Sequence, residues 1–135
     1  MEACVTLTPP LKKGFKQMVA EANAEVATIS AADALPLVGD PAVLFVDVRE
    51  GGEVATGAIP GAFPAPRGFL EFFADPESPM HKPELAKAAR VVVYCASGGR
   101  SALAAKTLAD MGYADVLNLT GGITAWKAAG GPLTA

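Results

Sequence analysis

Histidine occurs once in this chain, at position 81, and cysteine twice, at positions 4 and 95. One histidine and two separated cysteines fall short of the usual ligand spacing, so the sequence argues against a metal site; it also offers no disulfide framework. Hydrophobic residues make up 51% of the composition, yet none of their runs is long enough to cross a membrane. Neither sign of charge dominates: 14 acidic against 11 basic residues leave a formal charge of -3, which provides no general field for nucleic acid. Met1 to Lys13 lacks the apolar core and cleavage site of a signal peptide. These absences lead us to expect a soluble, cytoplasmic chain whose partners include no nucleic acid and no membrane. The 135 residues suffice for one core, and we see no internal repeat, interdomain linker or low-complexity segment.

What is present is concentrated in Val91-Val92-Val93-Tyr94-Cys95-Ala96-Ser97-Gly98-Gly99-Arg100-Ser101. The short valine-rich run reads as a strand buried on both faces, as in the middle of a parallel sheet, with Cys95 at its carboxyl end. Leu103, Ala104, Leu108 and Met111 then recur at helical spacing and Gly112 supplies a stop, which predicts an amphipathic helix from Arg100 to Met111. A strand-to-helix turn brings unpaired N–H groups and the positive end of the helix dipole to the cysteine. Gly98 and Gly99 let the backbone curl so that those groups converge as an anion nest. A thiol in such a place, near a cation, is acidic and needs no separate general base. Taken alone, Cys95 would read as a small buried hydrophobe, as Cys4 still does. Strand, glycines, arginine and helix together make it a candidate nucleophile.

The rest of the chain alternates helices and short strands. Pro9-Pro10 precedes Leu11, Phe15, Met18, Val19, Ala22 and Val26, a stripe predicting a helix over about 11–25. Such a helix either packs across an open side of the domain or pairs with a second copy. Val26 to Ile29 reads as an edge strand, and Ser30 with Asp33 as a capping box opening a helix through Val38. Val43 to Asp47 reads as a buried strand, Glu53 to Thr56 as a helical turn, and Ala62 to Ala65 as a brief strand interrupted by proline. Gly68 to Pro83 is an aromatic-rich excursion that either walls a site entrance or buries Leu70 and Phe73. Val116 to Leu119 reads as the last strand, followed by a helix from Gly122 that carries Trp126 in the core and ends at Gly130-Gly131-Pro132. The pattern predicts an α/β three-layer sandwich with a parallel sheet of about five strands and helices on both faces. Asp47 then also ends a strand at its carboxyl side, and Asp47 and Arg49 either take part in catalysis or, as we expect, pair with neighbours and brace the site floor.

The loop Cys95-Ala96-Ser97-Gly98-Gly99-Arg100-Ser101 resembles the active-site loop of the rhodanese family of sulfurtransferases. Asp47-Val48-Arg49-Glu50, Gly57-Ala58-Ile59-Pro60-Gly61-Ala62 and Thr120-Gly121-Gly122-Ile123-Thr124-Ala125-Trp126 match family signatures in the family's order. The matches run from about residue 28 to 131, so residues 1–27 read as an extension with one helix and 28–135 as a rhodanese domain. The resemblance implies a sulfurtransferase without cofactor. The Cys95 thiolate would take the outer sulfur of thiosulfate or a persulfide, hold it as a Cys95 persulfide, and yield it to cyanide, a thiol or a protein acceptor. Ala96, Ser97, Gly98, Gly99, Arg100 and Ser101 would bind the charged terminal sulfur, with Asp47 and Arg49 supporting. Arg100 either adds positive charge there or is anchored by a carboxylate that shapes the loop. Ser101 either caps the helix or continues it.

The chain departs from the family in two places. Ala58 stands where many relatives have histidine, and uncharged Ala96 and Ser97 stand where thiosulfate-preferring members have basic residues, which points to a persulfide or protein donor. A carrier module without small-molecule turnover fits the same loop. A cysteine phosphatase fits less well, because four residues separate Cys95 from Arg100, one fewer than in the phosphatases that this fold resembles.

Overall fold

The computed structural model describes residues 11–134; Cys4, Pro9 and Pro10 lie outside them. Five strands, β1 (Ala27–Ile29), β2 (Val43–Asp47), β3 (Phe63–Pro64), β4 (Arg90–Tyr94) and β5 (Val116–Leu119), form one sheet in the order β1-β5-β4-β2-β3, with every pairing parallel. Parallel strands need crossover connections; α2 (Ala31–Ala34), α3 (Gly51–Val54), α4 (Leu70–Ala74), α5 (Pro83–Lys87) and α6 (Gly99–Asp110) lie in those between successive strands, while α1 (Phe15–Glu25) precedes β1 and α7 (Gly122–Ala128) follows β5.

The centre of the sheet follows from strand alternation. On β4 and just past it, Val91, Val93 and Cys95 face one layer, where they meet Leu70 of α4, Leu85 of α5 and Ala104 and Leu108 of α6. Val92 and Tyr94 face the other, against Ile123 and Trp126 of α7 and Ala31 and Ala34 of α2. Trp126 is fully buried, edge-on to Phe45 with ring centroids 5.8 Å apart, and its indole N–H donates to the Pro132 carbonyl at 2.8 Å. The expected three layers and five parallel strands are therefore present.

Some boundaries differ from the sequence reading. The first helix starts at Phe15 rather than near residue 11, because the backbone is extended at Gly14, its N-cap. Its apolar stripe is divided: Ala22 and Val26 are buried, whereas Leu11, Phe15 and Met18 remain exposed. The helix expected through Val38 gives way after Ala34 to a 3-10 turn over Leu35–Leu37 that contains Pro36, which cannot continue a helical hydrogen-bond ladder. The Ser30 hydroxyl does accept the Asp33 N–H at 3.1 Å. The turn expected at Glu53–Thr56 lies at Gly51–Val54, because Glu50 and Glu53 form a capping box that starts it earlier. The helix after Cys95 runs from Gly99 to Asp110, one residue earlier than expected at each end. Within the 68–83 excursion, α4 buries Leu70 and half-buries Phe73 against the core, while Phe69 and Phe72 stay exposed. The short helix α5 was not anticipated.

Candidate active site

Cys95 follows the last residue of β4 and is 1% exposed. Gly98 then adopts φ +109°, a conformation open to glycine but strained for other residues, and α6 starts at the next position. This turn delivers the Gly98 N–H to Cys95 Sγ at 3.1 Å. Burial pushes the thiol upward, but the Ser101 hydroxyl and N–H, the Gly98 N–H and the Ser97 N–H outweigh it and leave Cys95 below its ordinary pKa. The Ser101 hydroxyl lies 3.4 Å from the sulfur. Ser101 itself is the third residue of α6 and is buried, so it continues the helix rather than capping it.

The loop is held from the far side by the turn into α7. The Ile123 and Thr124 N–H groups donate to the carbonyls of Cys95 and Ala96 at 2.9 and 3.2 Å. Gly122 makes this approach possible. It sits at φ +58°, and a Cβ there would overlap both carbonyl oxygens.

Asp47 ends β2, the strand beside β4, with Tyr94 as its register partner. Its carboxylate accepts Arg49 Nε at 3.0 Å, Nη2 at 2.8 Å and the Arg49 backbone N–H at 3.0 Å; both residues are buried. Its hydrogen bonds to the Asp47 carboxylate raise the Arg49 pKa against the opposing effect of burial. Arg49 continues to the carbonyls of Gly57 (2.8 Å) and Glu53 (3.2 Å). Asp47 and Arg49 thus pair with each other, and neither is among the groups that hydrogen-bond to Cys95 Sγ.

Arg100 meets a partner that the sequence reading did not name. Its Nη1 and Nη2 donate to Glu53 Oε1 and Oε2 at 2.7 and 2.9 Å. This bond, then the Glu50 N–H, holds the Glu53 carboxyl down to about 2, and Glu53 in turn raises Arg100, with Cys95 adding in the same direction. A carboxylate anchor for Arg100 was one of the two expectations; that it is Glu53 was not legible, because the partners lie 47 positions apart. Asn118 was also missed. It is 2% exposed on β5 and bonds to Ser101. A polar residue interrupting an apolar strand was the available signal. Of the expected loop, the structure brings Ser97, Gly98 and Ser101 to the sulfur, and it turns Ala96 toward α7.

His81 is half-buried, its Nδ1 3.0 Å from the Phe73 carbonyl. Among the described residues, no cluster of three or more His, Cys, Asp or Glu could hold a metal ion, and no helix is long and apolar enough to cross a membrane. A cavity of about 590 Å³ reaches Val91, at the opposite end of β4 from the thiol.

A family model described as the rhodanese-like domain matches residues 30–129. The chain belongs to the rhodanese family. This rhodanese domain is 42% identical to a sulfurtransferase from Allochromatium vinosum over 93 residues, covering 69% of this chain and 79% of that protein. A solved protein of unknown function from Rhodopseudomonas palustris, described as a possible tyrosine phosphatase, is 44% identical, with a TM-score of 0.90 over 96% of this chain and all of that one. The polysulfide-sulfur transferase homodimer of Wolinella succinogenes is 32% identical with a TM-score of 0.67, covering 89% of this chain and 86% of that one. By contrast, the match spans only 28% of a tRNA uridine(34) hydroxylase from Acaryochloris marina.

Proposed function

We propose that this rhodanese domain transfers sulfane sulfur through a persulfide on Cys95. The observation that carries the reading is the Gly98 N–H aimed at Cys95 Sγ from 3.1 Å, in a loop with four residues between Cys95 and Arg100. The thiolate attacks the outer sulfur of the donor; the Sγ–S bond forms, the donor's S–S bond breaks, and the donor leaves as a thiolate, or as sulfite from thiosulfate. The acceptor, cyanide or a thiol, then attacks the bound sulfur, and Sγ departs with the electron pair. The Ser97, Gly98 and Ser101 N–H groups stabilise negative charge on sulfur in both steps without reorganising, as an oxyanion hole does. Asp47 and Arg49 support the floor.

A persulfide or polysulfide donor suits the site better than thiosulfate. The charge of Arg100 is already matched by Glu53, and Ala96 and Ser97 add none, so a dianion finds no unmatched cation in the loop. Similarity to a polysulfide-sulfur transferase supports the same choice. A thiolate nucleophile works in a reducing compartment, and we place the protein in the cytoplasm.

One solved relative is described as a possible tyrosine phosphatase, which makes phosphate esters the reading to test beside this one. The ring from Cys95 to Arg100 is one residue shorter than the phosphatase pattern, and its N–H groups already close on the cysteine sulfur. Incubation with a glutathione persulfide, thiosulfate and para-nitrophenyl phosphate separates them. Sulfur release to cyanide with no nitrophenol supports transfer, and nitrophenol production without sulfur uptake overturns it.

A further inference from the structure

Asn118 shares the strand parity of Val116, so its side chain enters the layer that holds Cys95 and α6. Its Nδ2 donates to the Gly98 carbonyl at 3.3 Å and to Asn23 Oδ1 of α1 at 3.0 Å, and its Oδ1 accepts from Ser101 Oγ at 2.7 Å. The Gly98 carbonyl only accepts, so the amide has one orientation: nitrogen toward Gly98, oxygen toward Ser101. A serine hydroxyl has a single proton. Two acceptors compete for it, Asn118 Oδ1 at 2.7 Å and Cys95 Sγ at 3.4 Å.

We propose that Asn118 is a positioning residue for Cys95: its locked amide oxygen shares the one Ser101 hydroxyl proton with the sulfur and yields it when charge gathers there. The consequence rests on the sulfur-transfer reading. In the persulfide, Sγ is neutral and the hydroxyl stays on Asn118. When the acceptor attacks, the bond from acceptor to outer sulfur forms, the Sγ–S bond breaks, and the electron pair arrives on Sγ, to which the hydroxyl turns. An interaction that strengthens only as the bond breaks accelerates that step. Asn23 belongs to α1, upstream of the matched residues 30–129, so this link ties the first helix to the reactive sulfur.

The test is the pH dependence of iodoacetamide alkylation in a Cys4→Ser background, where Cys95 is the remaining thiol. Arg100 on α6 with Glu53 on α3, and the Asp47–Arg49 pair, are the charged groups packed about the loop and are unchanged in every variant. Asn118→Leu leaves the hydroxyl only sulfur to serve, so the alkylation pKa falls by about one pH unit. A merely structural role predicts the opposite sign, because a loosened loop withdraws N–H donors. Ser101→Ala raises the pKa, and Ser101→Ala/Asn118→Leu matches Ser101→Ala alone, since Asn118 acts through the hydroxyl. A rise or no change in Asn118→Leu, or a shift that persists without Ser101, overturns the proposal. Asn118→Ala replaces the leucine variant if that one does not fold. If neither folds, Ser101→Ala can still overturn the proposal, because an unchanged pKa there would show that the hydroxyl does not serve the sulfur. Alkylation needs no sulfur donor, so a chain unable to take up sulfur would still report on this arrangement.

Discussion

Arg100 and Glu53 lie fork to fork, Nη1 on Oε1 at 2.7 Å and Nη2 on Oε2 at 2.9 Å, joining the first turn of α6 to α3 across the site. The two side chains are 41% and 39% exposed, so solvent screens the pair and its contribution to global stability is small. Its effect is geometric. Through the Glu53 carbonyl, which accepts Arg49 Nη1, the loop that carries Cys95 is connected to the buried Asp47–Arg49 pair.

Arg100→Ala is therefore expected to lower kcat/KM for persulfide by roughly 10- to 100-fold, the scale of one charge-assisted hydrogen-bonded contact. Glu53→Gln, which keeps one donor-acceptor match, should lose less. Steady-state kinetics of both variants check this, and wild-type values for Arg100→Ala would remove it from the account.

The pH profile should be governed by one group. Cys95 ionises below the ordinary thiol value of 9.0, and Glu53, at about 2, adds no limb in the working range. The rate should rise through a single ionisation below pH 9 and then stay level. The sign for stability follows from the same shift. A thiol whose pKa is lowered by folding adds stability that is fully present above its unfolded value and is lost as pH falls through the folded value. Urea unfolding of wild type and Cys95→Ser across that window should show the difference.

Removing one partner of the buried Asp47–Arg49 pair strands the other. We expect Asp47→Ala to destabilise the domain by roughly 3–5 kcal/mol, measured by chemical denaturation. The fraction that remains folded should still alkylate at Cys95, as befits support rather than chemistry.

Gly122→Ala places a methyl group against the carbonyls of Cys95 and Ala96 at φ +58°. Left-handed backbone strain alone costs about 1–2 kcal/mol, and the overlap adds to it. Sulfur transfer should fall together with melting temperature, whereas Gly112→Ala, remote from the loop and strained likewise, should lower the melting temperature alone.

Much of this architecture could be read in advance because it is local. A valine run, a cysteine, two glycines and a periodic helix specify the strand-loop-helix at 91–111, and the strand at 43–47 places Asp47 beside it. The features that escaped are tertiary. Glu53 reaches Arg100 only after two crossovers bring α3 beside α6, and Asn118 meets Ser101 only because β5 lies next to β4. Neither partnership leaves a periodic trace. The start of α1 was misjudged because the apolar stripe extends through Leu11 while the cap at Gly14 sets the boundary, and α5 is too short for periodicity to announce.

The central claim is that Cys95 carries sulfur, and intact-protein mass spectrometry tests it most directly. Wild-type protein incubated with a low-molecular-weight persulfide, and separately with thiosulfate, should gain one sulfur atom. Peptide mapping should place it on Cys95, cyanide should remove it, and the persulfide should load faster. Cys95→Ser, nearly isosteric, should fold and gain nothing. Uptake by Cys95→Ser, or no uptake by wild type from either donor, would contradict the account.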